Sequence, residues 1–229
     1  FSEEPWYLPD IWLCFSKPDH TVDIGPLPAL ANGHITFGSF NNLPKISDKT
    51  VSCWSKILHA VTDSHLLLKA KGLAKLEVQD ETYARFEAHG IPRNRIVLKS
   101  FTPTMDEHLR IYNEIDIALD TFPYSGVTTS IEAFSMGVPV LNLKGNHFVS
   151  HAGESLLNNI GLEDWVANSE EDYIAKAIAF SANLSEIASL RESLRERLFT
   201  SPICDAPRFA SNLEIAFRSM WHKWCDQIL

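Results

Sequence analysis

Apolar and polar residues follow two rhythms along most of this chain, and the switches between them mark its elements. Short, largely apolar runs at His34–Phe40, Leu66–Lys69, Arg95–Lys99, Ile115–Leu119 and Val138–Leu143 have the length of strands. Between them apolar residues recur three and four apart. In Asp48–Val61 the residues Val51, Trp54, Ile57, Leu58 and Val61 share one helical face. Leu76–His89 forms a second helix, stopped by Gly90 with Pro92 just beyond. Asp106–Asn113 and Thr128–Met136 continue the alternation, and Asn41–Ser47 is a polar loop. Strands that are apolar on both faces and alternate with helices predict a parallel sheet covered on two sides, an α/β, doubly wound, Rossmann-like domain. Ligands of such sheets sit beyond the carboxyl ends of the strands, where the loops begin at Asn41, Lys69, Ser100, Asp120 and Lys144.

The two ends read differently. After Leu143 the pattern is helical, over Phe148–Ile160, Glu170–Ser181, Glu186–Phe199 and Pro207–Gln227. This is a helical carboxyl-terminal tail. Its last helix carries Phe209, Leu213, Phe217, Met220, Trp221 and Trp224, a stripe that reads first as core packing and second as a clasp on another lobe. Phe1–Asn32 holds five of the chain's twelve prolines and reads as a connector, with one strand expected in Ile11–Phe15. Trp6, Tyr7, Trp12 and Phe15 would be wasted on a free linker, so they are expected to dock on this domain or another. Residues 33–229 are then one domain. The opening at Phe1, inside a proline-rich stretch, reads as a cut from a longer polypeptide.

Composition narrows the function classes. With 229 residues, 45% of them hydrophobic, the chain can bury a proper core. A net charge of −9 argues against a general affinity for nucleic acid or anionic membranes, although a local basic pocket can still hold a phosphate. The four cysteines, Cys14, Cys53, Cys204 and Cys225, show neither Cys-x-x-Cys nor a disulfide framework, which fits a reducing, cytoplasmic setting. No apolar run reaches the length of a membrane span.

Candidate chemistry concentrates in Asp120–Glu132. Here a polar turn joins the strand Ile115–Leu119 to the helix that follows. Pro123 and Gly126 supply a bend and an unhindered backbone, while Thr128 and Thr129 offer hydroxyls beside the helix's unpaired amides. A helix start carries partial positive charge and free N–H donors, which suits a diphosphate. Glu132, about one turn further on, suits a ribose hydroxyl. The same spacing also fits a plain N-cap at Thr128 with a solvated acid behind it. No Asp-x-Asp occurs, so no magnesium ligands are evident and no metal is expected.

Three blocks carry a family resemblance. They are Phe37-Gly-Ser-Phe-Asn-Asn-Leu-Pro-Lys45, then Asp120-Thr-Phe-Pro-Tyr-Ser-Gly-Val-Thr-Thr129 with Gly137-Val-Pro139, and Ser201-Pro202 before the Trp-bearing last helix. In this order they resemble the carboxyl-terminal catalytic lobe of the protein O-GlcNAc transferase and SPINDLY family, glycosyltransferase family 41, from about Phe37 to Trp224. The resemblance implies one lobe of a two-lobed GT-B enzyme, with the acceptor protein presented by a missing amino-terminal lobe and tetratricopeptide repeats.

The resemblance also implies roles. Lys45 matches the family's catalytic lysine at the diphosphate, and Asn42 stands where relatives often have a glutamine facing the donor. His108 matches a histidine packed on the nucleotide base, while Gly126, Thr128, Thr129 and Glu132 complete the donor-binding set. The implied substrate is UDP-GlcNAc, transferred to serine or threonine with inversion and without a cofactor or metal. Val127 replaces a histidine of the animal enzymes and Glu132 an aspartate, while His151 stands where relatives often have an arginine. The departures at Val127 and Glu132, with Lys69-Ala-Lys71, suit the SPINDLY-like branch and leave GDP-fucose open as the donor. A non-catalytic nucleotide-sugar module is the reading from another class. An isolated lobe is expected to bind nucleotide and transfer little.

Overall fold

The computed structural model describes residues 3–18 and 22–228. Its strands are β1 Thr36–Ser39, β2 His65–Lys69, β3 Ile96–Lys99, β4 Ile117–Leu119, β5 Val140–Leu143 and β6 Val166–Ala167. All pair in parallel, in the order β3-β2-β1-β4-β5-β6. Phe37 lies opposite Leu66 on one side and Ile117 on the other. Every residue of β1, β4 and β5 is buried, as the two-faced apolar pattern requires.

The helices are α1 Pro28–Asn32, α2 Asp48–Ala60, α3 Leu76–Glu87, α4 Met105–Arg110, α5 Thr128–Ser135, α6 Ala152–Asn159, α7 Glu170–Ser181, α8 Leu184–Thr200 and α9 Ala206–Ile228. α2 packs on α3 and α7, and α5 packs on α8. The chain reverses its winding between β1 and β4. The loops leaving these two adjacent strands therefore open side by side, the crevice where doubly wound sheets take ligands.

Several expectations are corrected. Ile11–Phe15 is not a strand; Phe15 N–H instead donates to the Ile203 carbonyl at 2.8 Å. Within the stretch read as a connector, α1 forms between Pro28 at its first position and Gly33, which ends it at φ 72°. The helix expected over Phe148–Ile160 is a 3-10 turn, Phe148–Ser150, followed by α6. β6 went unpredicted because two residues are too few to show a period. The aromatic face of α9 is not core. Phe217, Trp221 and Trp224 are exposed, and among the described residues Ala216 is the buried apolar side chain of that helix.

α8 locks the amino end of the sheet through Arg191. This guanidinium is buried and donates to the carbonyls of Gly25 and Ile115 and to Asn113 Oδ1, at 2.9–3.1 Å. Burial lowers its pKa to about 10, against the pull of Asp116. Gly137 makes this approach feasible. Its φ is +73°, and a Cβ there would stand 2.5 Å from the Arg191 carbonyl oxygen.

At the opposite end Asp120 holds the crevice together. It follows β4 directly and is 1% exposed. One carboxylate oxygen accepts from the amides of Gly126 at 2.7 Å and Thr121 at 2.8 Å and from Asn41 Nδ2 at 3.1 Å. The other accepts from Asn142 Nδ2, on β5, at 3.0 Å. The turn is backed from below: Tyr173 on α7 donates to the Asp120 carbonyl at 3.1 Å, and Thr50 on α2 donates to the Phe122 carbonyl at 3.0 Å.

Burial pushes the Asp120 carboxyl from 3.8 up to about 6, because loss of water outweighs the four donors that favour its charged form. Its folded pKa therefore exceeds its unfolded one. Between about pH 4 and 6 the folded chain holds a proton that the unfolded chain has released, so stability falls as pH rises through that window and levels off above it. In Asp120→Asn one oxygen remains for three of the donors and the titration is gone. Denaturant unfolding from pH 4 to 7 should show wild type losing about 2 kcal/mol relative to the variant; a difference independent of pH would contradict this.

Candidate functional site

The loop after β1 and the turn after β4 face each other across a hollow of about 300 Å³. Leu43–Lys45 is a 3-10 turn that brings Lys45 over the β4 turn. Its ammonium donates to the Ser125 carbonyl at 2.9 Å and lies 4.1 Å from the centre of the Tyr124 ring. Burial lowers the Lys45 pKa, and nearby Asp120 partly offsets this. Gly126 is required by close approach, since a Cβ there would come within 2.6 Å of Thr129 Oγ1 and 3.0 Å of Asn41 Oδ1. Thr129 Oγ1 donates to Asn41 Oδ1 at 3.2 Å, which ties the helix start to the β1 loop.

α5 begins without a side-chain cap. Val127 occupies the cap position, at φ −123° and ψ −73°, and has no oxygen to offer. Thr128 is thus the first helical residue rather than the N-cap, and it is exposed to the hollow. Among the described residues no side chain caps the first-turn amides, which leaves an electropositive edge beside Lys45.

A second hollow of about 420 Å³ adjoins the first and shares Phe40 and Asn42 with it. Its polar wall is a chain of hydrogen bonds. Lys69, last residue of β2, approaches His108 Nδ1 at 2.7 Å; His108 Nε2 lies 3.0 Å from Glu132 Oε2, and Tyr112 Oη donates to the same oxygen at 3.1 Å. A charged Lys69 can only donate, so Nδ1 accepts and the ring proton sits on Nε2, facing Glu132. Burial lowers the Lys69 pKa, with Glu132 opposing. Burial also holds the Tyr112 phenol well above its usual range, so it remains a donor. Phe40 packs on the Tyr112 ring at 3.9 Å and meets the His108 ring edge at 5.8 Å. Phe101 and Met105, 64% and 61% exposed, line the same hollow with apolar surface.

Such a pair of hollows suits an elongated ligand. One compartment offers an ammonium, an open helix start and hydroxyls to an anion; the other offers aromatic and apolar surface to a planar group, with hydrogen-bonding groups along one wall. Among the described residues, no three His, Cys, Asp or Glu side chains gather in a way that could hold a metal ion.

Of the residues singled out from sequence, Asn42, Lys45, Thr128 and Thr129 line the first hollow, and Gly126 forms the turn beside it. Asn42, His108 and Glu132 line the second. His151 lines neither; its Nδ1 lies 2.7 Å from Glu154. Sequence reasoning missed the parts played by Asn41, Asp120, Tyr112 and, above all, Lys69. The signal for Lys69 was a lysine ending an otherwise apolar strand, His65-Leu-Leu-Leu-Lys69, which buries it to 7% exposure.

The model of glycosyl transferase family 41 matches residues 26–213. The chain is 40% identical, over 97% of its own length, to a protein of Eustoma exaltatum subsp. russellianum named as the probable UDP-N-acetylglucosamine–peptide N-acetylglucosaminyltransferase SPINDLY. It is 31% identical over 92% of its length to the Arabidopsis thaliana protein named as the probable transferase SEC of the same description. It spans 24% and 21% of these two relatives. A solved mutant of the Thermobaculum terrenum O-GlcNAc transferase superposes with a TM-score of 0.88 at 35% identity, over 97% of this chain and 42% of that one. The family match over residues 26–213, the identity to these relatives and the superposition lead to one conclusion: the chain belongs to glycosyl transferase family 41.

Proposed function

We propose that this chain is the donor-binding lobe of a protein O-glycosyltransferase, which moves N-acetylglucosamine from UDP-GlcNAc to serine or threonine hydroxyls with inversion and without a divalent metal. The observation that carries this reading is the adjoining pair of hollows: Lys45 and the uncapped start of α5 on one side, the Lys69–His108–Glu132 chain on the other. The names of the relatives support it. In this reading the diphosphate lies against the amides and hydroxyls of Thr128 and Thr129, with Gly126 leaving room and Asn42 at the junction. The base enters the larger hollow beside His108 and Phe40, and Glu132 faces the ribose.

The mechanism is electrostatic. As the sugar–oxygen bond breaks, charge grows on the departing phosphate, and donors already aimed there lower the barrier because they need no reorganisation. Lys45 exchanges the Ser125 carbonyl for a phosphate oxygen, which gives a half-buried ammonium a direct counter-charge beyond what Asp120 supplies at a distance. The helix start supplies the remaining donors without a bound cation. The acceptor hydroxyl attacks the face of the sugar opposite the diphosphate, which inverts the anomeric centre. Acceptor protein and repeats belong to the part of the protein outside this chain.

A GDP-sugar donor such as GDP-fucose is the second reading. It is favoured by the Lys69 ammonium on the wall of the larger hollow, because guanine offers two acceptors, O6 and N7, to such a donor.

Calorimetric titration with UDP, GDP and uridine tests the reading. The diphosphates should bind at least about tenfold more tightly than uridine, roughly 1.4 kcal/mol. Stronger binding of GDP than UDP selects the second reading, and binding of neither at millimolar concentration overturns both. In the full-length protein Lys45→Met should lower kcat about a hundredfold or more, while unfolding free energy stays within about 1 kcal/mol. Comparable losses of both would mark Lys45 as structural, and unchanged turnover would remove Lys45 from the catalytic machinery.

A further inference from the structure

Away from the crevice, the amino-terminal strap lies along α9 and the turn before it. Asp10 receives Arg208 Nε at 2.7 Å and Nη2 at 2.5 Å, together with Asn212 Nδ2 at 2.9 Å. Lys223 reaches Glu4 at 2.5 Å, and Asn159 Nδ2 donates to the Asp10 carbonyl at 3.3 Å. At the inner end of this seam the Phe15 amide donates to the Ile203 carbonyl at 2.8 Å. That bond has a consequence for the residues flanking it. Planar trans peptides set the Cα atoms of Cys14 and Cys204 beside the bonded N–H and C=O, at most about 7 Å apart. A disulfide spans about 4.4–6.8 Å between Cα atoms.

The sulfurs share surroundings as well. Both cysteines are free and half-buried. Burial raises the Cys204 thiol pKa, Lys17 pulls it back, and Cys14 pushes it up, so each sulfur lies in the electrostatic reach of the other. Cys53 differs: it is buried in α2, with its thiol pushed up to about 12 by burial. Cys225 lies two turns of α9 beyond Phe217, far along the helix from Cys204.

We propose that Cys14 and Cys204 form a redox-closed clasp, in which an intramolecular disulfide fastens the strap of residues 3–18 to the turn that begins α9. Oxidised glutathione is a sufficient oxidant. One cysteine thiolate attacks its disulfide and releases one glutathione thiolate; the second cysteine thiolate attacks the resulting mixed disulfide and releases the other. Two protein thiols lose two electrons and two protons, and one glutathione disulfide becomes two thiols. In a reducing setting the clasp is open, and it closes when the glutathione pool is oxidised. This inference is independent of the donor-site reading.

The test is to incubate the reduced chain with glutathione disulfide, alkylate the remaining thiols, digest without reduction and identify cross-linked peptides by mass spectrometry. The expected product is a Cys14–Cys204 link, with Cys53 and Cys225 alkylated and the chain lighter by two hydrogens before alkylation. The oxidised chain should melt several degrees higher, reversibly with dithiothreitol. Cys14→Ser and Cys204→Ser should each abolish the link and the melting shift. Glutathione left attached at Cys14 or Cys204, linkage of either to another cysteine, or unchanged mass would overturn the proposal.

Discussion

Asp120 is a carboxylate cut off from water, and four donors from three parts of the chain converge on it: Asn41 beyond β1, Thr121 and Gly126 in the β4 turn, and Asn142 in β5. Each donor fixes one wall of the crevice. An ionised group buried to this depth is costly unless its lone pairs are satisfied, so the turn can close only when all these elements are in register. The same charge lies near Lys45 and offsets part of what burial costs that ammonium. The anion inside the fold and the cation at its surface are therefore parts of one arrangement.

The site inherits its rigidity from that arrangement and its openness from what the turn lacks. Val127 offers the helix start no cap, and Gly126 offers no side chain. A residue with a hydroxyl at the first position or a Cβ at the second would satisfy the amides or crowd the hollow. In the neighbouring hollow the opposite holds, because His108, Glu132 and Tyr112 are locked to one another and to Lys69. One compartment leaves donors unclaimed for a charged guest; the other presents a preset hydrogen-bond pattern to a planar one.

Much of this was legible in the residues. Five strands and their helices followed from runs such as Leu66–Lys69 and the spaced apolar residues of Asp48–Val61, because burial imposes those periods directly. Gly126 and Thr128 stood out because a phosphate turn needs those residue types, and Lys45 through the family resemblance. Lys69 did not, since its partner His108 is 39 residues away and only the fold brings the two together. Nor did β6, whose two residues hold their place by pairing with β5. For α9, periodicity showed that Phe217, Trp221 and Trp224 cluster near one face, but not that the face is left uncovered by the described residues. Amphipathicity defines a face and is silent on what meets it.

The central claim is that an uncapped helix start and Lys45 together receive a diphosphate. The most direct measurement is a crystal structure of the chain with UDP bound. The account predicts phosphate oxygens within hydrogen-bonding distance of the Thr128 or Thr129 amide, with the Lys45 ammonium moved from the Ser125 carbonyl onto the diphosphate. A diphosphate seated elsewhere, or a Lys45 still bonded to Ser125 beside an occupied site, would contradict it.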